Sequence, residues 1–372
     1  MRMIIGADLV PTKSNFGLFF AGDAETLVGS DLKQILDGAD YRIFNLEVPL
    51  TDLESPIAKC GPNLIAPAET IKGYMAMGVN VLTLANNHIL DQGAQGLEST
   101  CKVLQQNGIA YVGAGKTPEE AAKPYIVDFA DKKVGIYACA EHEFSIVSEH
   151  TAGANPFDPL ESLDHVAELK KQCDYVIVLY HGGKEHYRYP SPNLQKICRK
   201  LVEKGADLVV CQHSHCIGCE EKYNGGTIVY GQGNFLFDHS NSAYWQTSLL
   251  VQLDEKFSIS YIPLMKTENM VRLAEDEQIL LDFAERSEEI KKDGVIEAKY
   301  KEFAQSMIEQ YLWSFCGVRR GFFHRVVNKI SGYRFSAWVL RRKYSERELL
   351  AMQNFIECEA HRELLLKGLF KS

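Results

Sequence analysis

No stretch of the sequence approaches the roughly 20 consecutive apolar residues that a membrane-spanning helix needs. Cysteine is thinly spread: ten in 372 residues is too few for a disulfide framework. Most of them, including Cys101, Cys139, Cys173 and Cys198, sit in apolar runs, where a free thiol behaves as a small buried hydrophobe. Basic charge is in deficit overall. The formal net charge is −9 and the pI is near 5.7, so nucleic acid is not an expected partner of the whole chain. Internal repeats and low-complexity segments are absent, which excludes solenoid and disordered classes. The opening residues turn at once into strand-like sequence, without a signal peptide's apolar stretch or small-residue cleavage site. The expected location is therefore cytoplasmic.

What is present is ordinary for a globular protein: 46% hydrophobic and 24% charged residues. Short β-branched runs alternate with helix-period segments up to about residue 235. Ile4-Ile5, Tyr41-Arg42-Ile43-Phe44, 79–84, 133–138, 175–180, 207–211 and 227–230 read as strands. The segments 68–77, 94–106, 162–172 and 192–204 read as helices. Continuous apolar strands between helices predict an α/β fold with sheet covered on both faces. Residues 246–253 and 257–264 alternate like a hairpin, and from 276 onward the sequence is helical in period. The expected division is a main domain over 1–268 and a helical C-terminal extension over 269–372.

Within that extension, 319–347 carries nine basic residues and only Glu346 as an acid, a local net of +8 that leaves −17 for the rest. Phe322, Phe323, Tyr333, Phe335, Trp338 and Tyr344 are interleaved with them. Such a segment suits a solvated helix pair packing through its aromatics, or a docking surface for an anionic polymer or an anionic membrane.

Polar residues recur just after the strands. Asp8 follows Ile4-Ile5, Glu47 follows Ile43-Phe44, and Asn86, Asn87 and His88 follow the strand at 79–84. His181 follows the strand ending at Tyr180, and His213 and His215 follow Val209-Val210. In an α/β sheet the carboxyl ends of strands line the ligand crevice. Oxygen and nitrogen donors delivered there suit manganese, zinc or iron. In extended backbone the alternation His213-Ser214-His215 would let both imidazoles converge on an ion. Several uncompensated charges buried together would be costly unless a cation neutralised them.

Two motifs point elsewhere and are set aside. The loop Gly113-Ala114-Gly115-Lys116-Thr117 resembles a phosphate-binding loop but has Ala110 where that pattern needs glycine. Thr117-Pro118-Glu119-Glu120 reads instead as a helix start. Cys216-Ile217-Gly218-Cys219 has no second CxxC to complete a zinc cluster.

Six ordered motifs resemble the bacterial capsule-synthesis protein CapA family. They are 6–12 around Asp8, Asn45-Leu46-Glu47-Val48-Pro49-Leu50, Ala85-Asn86-Asn87-His88, His181-Gly182-Gly183-Lys184-Glu185, Gln212-His213-Ser214-His215 and Gly231-Gln232-Gly233-Asn234-Phe235. The resemblance covers about residues 1–240. It implies a role in capsule or poly-γ-glutamate production and a fold related to calcineurin-like metallophosphoesterases, a layered sheet sandwich covered by helices. It also implies a divalent-metal site of one or two ions held by Asp8, Glu47, Asn87, His181, His213 and His215, with His88 beside the substrate. Lys59, Asn86, Lys184, Glu185, His186 and Asn234 are the expected substrate contacts. Two positions depart from the superfamily pattern. Val10 stands where a histidine is expected, and Ile89 where an acid follows the Asn-His pair. The expected activity is metal-dependent hydrolysis of a phosphoester or of a bond in an anionic polymer. The alternative is a non-catalytic, metal-containing accessory protein.

Overall fold

The computed structural model describes residues 1–315, 326–327, 329–331 and 334–368. Two compact units divide the chain, Met1–Glu297 and Ala298–Ser372. The sequence places that division earlier, at 268/269. The difference arises because the strand Met270–Leu273 pairs with Ile259–Thr267, and Phe283 of the helix Gln278–Glu289 packs with Ile217 and Leu249.

The first unit holds sixteen strands in chain order: β1 (Arg2–Val10), β2 (Tyr41–Asn45), β3 (Val81–Thr83), β4 (Ala110–Val112), β5 (Ala114–Gly115), β6 (Tyr125–Phe129), β7 (Lys132–Ala140), β8 (Gly153–Ala154), β9 (Tyr175–His181), β10 (Leu208–Gln212), β11 (Glu220–Tyr223), β12 (Gly226–Val229), β13 (Asn234–Phe237), β14 (Thr247–Asp254), β15 (Ile259–Thr267) and β16 (Met270–Leu273). One sheet runs β16-β15-β14-β1-β2-β3-β4, with β13 also paired to β1. A second runs β11-β12-β10-β9-β7-β6. The expected hairpin is present as β14 and β15, which join the first sheet.

Side chains alternate across each strand, and here both faces are apolar. In β1, Met3 and Ile5 face one cluster while Ile4 faces another. In β9, Ile177 and Leu179 join Met3 and Ile5 in the same cluster, which packs the two sheets face to face. Val176, Val178 and Tyr180 point the other way, onto Val166 and Leu169 of the helix Ser162–Gln172 and Leu194, Cys198 and Leu201 of Pro192–Glu203. The outer face of the first sheet is covered by Phe19, Leu27, Leu32 and Leu36 and by Leu97 and Leu104 of the helix Gly93–Gln106. The result is the layered sandwich expected: helices, sheet, sheet, helices. Burying one leucine-sized side chain in such layers contributes roughly 1.5–3 kcal/mol.

β1, β2, β3 and β4 run parallel in the first sheet, as do β7, β9, β10 and β12 in the second. Their carboxyl ends therefore gather polar residues at the edge of each sheet. The described part of the second unit is helical. It includes Arg334–Lys343 and Glu346–Glu357, the latter started by a capping box between Ser345 and Glu348. Of the basic segment at 319–347, Arg319, Arg320 and Arg325 lie outside the described residues, as do Phe322, Phe323 and Tyr333. Arg341, Arg342, Lys343 and Arg347 are exposed, and the Arg342 guanidinium sits 4.6 Å from the Trp338 ring centre. No described helix is long and apolar enough to cross a membrane.

Candidate metal centre

The six expected ligands come from five strands, in or just after each, and lie together. Asp8 sits in β1 at an irregularity, where the pairing register shifts against β2 and against β13. Glu47 follows β2, and Asn87 lies in the turn after β3. His181 ends β9, and His213 and His215 follow β10. The expected extended backbone at 213–215 is not found. His213 and His215 both have positive φ, 84° and 53°. Two left-handed residues make a tighter loop that brings both rings inward, at a strain of order 1–3 kcal/mol each.

Donor atoms converge on His181 Nε2. Asn87 Oδ1 lies 3.1 Å from it, His213 Nδ1 3.1 Å and Glu47 Oε1 3.2 Å. Asp8, Glu47 and His215 form a second group, with Asp8 Oδ2 3.4 Å from His215 Nδ1. Glu47 belongs to both groups, and within each the ligand atoms lie within 4.8 Å of one another. All these side chains are buried. Glu47 Oε1, Glu47 Oε2 and Asp8 Oδ2 nevertheless accept no hydrogen bond. A buried carboxylate left in that state costs several kcal/mol. The oxygen–nitrogen donor set and the orphaned carboxylate oxygens fit a divalent cation.

The electrostatics follow from the same geometry. Burial works to depress the His215 imidazole, but the Asp8 and Glu47 carboxylates and the Asn234 amide outweigh it and push its pKa up to about 9. For His181, burial is likewise outweighed, here by Glu47 and then Asp8, and its pKa is raised. His213 is held well below its ordinary value by burial and by the neighbouring His181 and His215. Burial raises Asp8, but His215 and His181 overcome it and hold the carboxyl below its usual range. Carboxylate oxygens thus face His181 and His215, whose protonated forms they favour, and a cation held there would take over that positive charge.

Surrounding residues fix the donors. Asn45 Nδ2 donates to Asp8 Oδ1 at 2.8 Å. Glu143 Oε2 accepts from Asn87 Nδ2 at 2.8 Å, which turns Asn87 Oδ1 toward His181. Glu143 carries no motif in the sequence and was not anticipated.

His88 diverges from its neighbour Asn87, as two adjacent turn residues do. His88 Nδ1–H donates to Asp91 Oδ2 at 2.6 Å. Asp91 is fully buried, accepts from the Leu64 amide at 2.6 Å, and is ion-paired to Lys59. The acid missing at Ile89 is therefore supplied by Asp91, three residues after His88. The signal was available, since in a turn residues i and i+3 are neighbours, and the Asp91 amide donates to the His88 carbonyl at 2.9 Å.

The expected substrate contacts separate into two sets. Lys59 is not at a substrate surface; its side chain is buried on Asp91 because a buried carboxylate needs a counter-charge. Asn86 is also buried and spent on the fold: it donates to Asn45 Oδ1 and the Leu46 carbonyl and accepts from the His88 amide. Lys184 is half-buried and Glu185 exposed. His186 Nε2 accepts from Trp245 Nε1–H at 2.8 Å, and its ring stacks on Tyr244 with centroids 5.2 Å apart. Burial and the nearby His215 charge lower its pKa. Asn234 Oδ1 lies 2.8 Å from His215 Nδ1. Neither Cys216 nor Cys219 joins a metal group; both are buried, and burial pushes the Cys216 thiol up to about 11. Thr117 caps the short helix Pro118–Ala121, accepting from the Glu120 amide.

Fold and site together define a mixed α/β protein with a carboxylate–histidine centre set across the ends of two facing sheets. The chain belongs to the bacterial capsule synthesis protein family PGA_cap, whose model matches residues 19–239. It is 32% identical over 215 residues to the PGA biosynthesis protein CapA of Bacillus subtilis (strain 168), a match covering 56% of each chain. It is 31% identical over 212 residues to the capsule biosynthesis protein CapA of Bacillus anthracis, covering 55% of this chain and 52% of that one. The match thus spans little more than half the length of either relative. Among solved structures, a novel phosphatase of Mycoplasma pneumoniae aligns with a TM-score of 0.45 at 14% identity, over 76% of this chain and 96% of that one. That resemblance does not bear on chemistry.

Proposed function

We propose that the chain is a metal-dependent hydrolase of capsule or poly-γ-glutamate-type polymer biosynthesis, acting on a phosphoester or on a bond in an anionic polymer. The observation that supports this most is the set of buried carboxylate oxygens, Glu47 Oε1, Glu47 Oε2 and Asp8 Oδ2, left without hydrogen bonds among three histidines and an asparagine amide. The resident ion in this reading is manganese, zinc or iron, one or two per chain.

Glu47, Asn87, His181 and His213 would hold one ion, and Asp8, Glu47 and His215 offer a second place. A bound divalent ion supplies Lewis acidity and makes water acidic enough to yield a nucleophile near neutral pH. Asp91 holds the His88 Nδ1–H and leaves Nε2 free to take up a proton, which the resulting imidazolium would pass from Nε2 to the leaving group. Lys59 balances the Asp91 charge, so that the carboxylate remains an acceptor. Lys184, Glu185 and His186 flank the centre as substrate contacts.

A second reading is favoured by one observation. Val10, at the position of an expected ligand, is packed in the apolar core. In that reading the centre binds metal without turnover, and the basic segment at 319–347 docks an anionic polymer or an anionic membrane surface. Metal analysis of the purified protein, followed by a chromogenic phosphodiester and phosphomonoester screen and a poly-γ-glutamate cleavage assay with added manganese, decides between them. Metal bound with hydrolysis of any of these substrates supports the first reading. Metal bound without turnover, with retention on poly-γ-glutamate or anionic vesicles, supports the second.

A further inference from the structure

Val10 leaves one metal position short of a ligand, and the strand beside it carries a residue that meets the need. β13 runs parallel to β1 and places Asn234 directly opposite Asp8. Phe235, Leu236 and Phe237 anchor that strand in the same apolar cluster that holds Val10. Gly233 turns the chain into β13 with φ 80°, and a Cβ there would stand 2.6 Å from the Thr247 carbonyl oxygen. Asn234 is thereby held with its side chain at the centre, and it is only 7% exposed.

Its amide has an unusual environment for a buried group. Asn234 Oδ1 lies 2.8 Å from His215 Nδ1, and His215 Nδ1 lies 3.4 Å from Asp8 Oδ2. Asn234 Nδ2 is buried without a hydrogen-bond partner. Asp8 Oδ2 has none either. The set Asn234 Oδ1, Asp8 Oδ2 and His215 Nδ1 repeats the convergence seen around His181 Nε2, where Asn87 supplies the amide oxygen. Each position then has one amide oxygen, at least one imidazole and a share of Glu47.

Building on the reading of this centre as a metal site, we propose that Asn234 is a metal ligand rather than a substrate contact. Through Oδ1 it completes a second divalent-cation position with Asp8, Glu47 and His215, replacing the donor that Val10 does not supply. The amide is neutral where an imidazole would also be neutral, so the net charge of the ligand set is preserved.

The test is manganese titration of the metal-stripped, full-length chain by calorimetry, with metal counted by elemental analysis after dialysis. The wild type is expected to bind two ions. Asn234→Ala should keep the ion at Glu47, Asn87, His181 and His213 and bind the other roughly 10- to 100-fold more weakly. Asn234→Asp, which restores an oxygen donor, should return the second ion. Two ions bound by Asn234→Ala with unchanged affinities would overturn the assignment and leave the hydrolase reading standing. One ion in the wild type at saturating manganese would overturn the second position alone. No bound ion in the wild type would overturn both. Asn234→Asp also carries the test if the alanine variant does not fold. A carboxylate facing Asp8 without a cation is repulsive, so manganese should raise its Tm by more than it raises that of the wild type. An equal or smaller rise overturns the proposal.

Discussion

His88 Nδ1 and Asp91 Oδ2 stand 2.6 Å apart at the two ends of a single turn, and Asp91 shares its carboxylate with the buried Lys59 ammonium. The pair gives an imidazole of fixed tautomer beside a candidate metal centre. Unlike its neighbour Asn87, His88 bonds Asp91 and joins neither ligand group, so in the proposed hydrolase binding and proton transfer would fall to different residues.

For the hydrolase, His88→Ala is expected to lower kcat by roughly 10²–10⁴ with metal content nearly unchanged. Asp91→Asn should lower kcat in the same direction, because an amide can present a donor to Nδ1 and stabilise the wrong tautomer. Metal content, Tm and kcat measured on one preparation separate these effects. A loss of metal in His88→Ala would make His88 a ligand. Unchanged turnover of folded protein would make it a loop anchor.

Removing a ligand should act on metal and activity together. His213→Ala and His181→Ala are expected to lose bound metal sharply while keeping the far-ultraviolet circular dichroism of the wild type. Chelation should lower Tm, and restoring free ion to about 100 times its Kd should return roughly 2.7 kcal/mol per site. Full metal occupancy in His213→Ala would remove that residue from the centre.

Acid sensitivity has an identifiable contribution from Asp238. Burial works to raise its pKa, but Lys266, 2.7 Å away, and Ser14 outweigh it and hold the pKa down. A carboxyl whose folded pKa lies below the unfolded value of about 3.9 stabilises the protein above that pH, and the benefit is lost as pH falls through the folded value. Asp238→Asn should therefore cost up to about 1 kcal/mol at pH 7 and less near pH 2. Urea titrations at the two pH values measure the difference; a cost undiminished in acid would exclude the ion pair as its source.

The loop at 113–117 is expected not to bind nucleotide, since Thr117 is committed to capping Pro118–Ala121. ATP with magnesium should produce no thermal shift that Lys116→Ala abolishes. A Lys116-dependent shift would refute this.

Long apolar runs made most of the sandwich legible. The strands β7, β9 and β10 and the helices Ser162–Gln172 and Pro192–Glu203 were readable because each buries a face large enough to impose its period. Helices Phe16–Ala21, Ala24–Val28 and Ser30–Asp37 were missed; they span six, five and eight residues, too few turns for a helical period to stand out. The three-residue β4 was missed for the same reason. At the site, residues following strong strands could be anticipated as a group. Lys59 and Asn86 could not be placed, because a polar side chain spent on burial and one offered to a ligand look alike in sequence. Asp91 carries no signal of adjacency, because it meets His88 one turn along the chain and not beside it.

The centre draws Asp8, Glu47 and Asn87 from the ends of one sheet and His181, His213 and His215 from the ends of the other. Between those sheets the contact is mostly apolar, among residues such as Ile5, Ile43, Ile177 and Val210, which has no directional preference, with a few hydrogen bonds such as Gln212 Nε2–H to the Gly6 carbonyl at 3.0 Å. A cation bound at their edge is therefore also a cross-link, fastening two independently hydrogen-bonded layers at one end as a clasp holds the covers of a book. Amide exchange at the carboxyl ends of β1, β9 and β10 becomes a gauge of occupancy, with the opposite ends of the same strands as the internal reference.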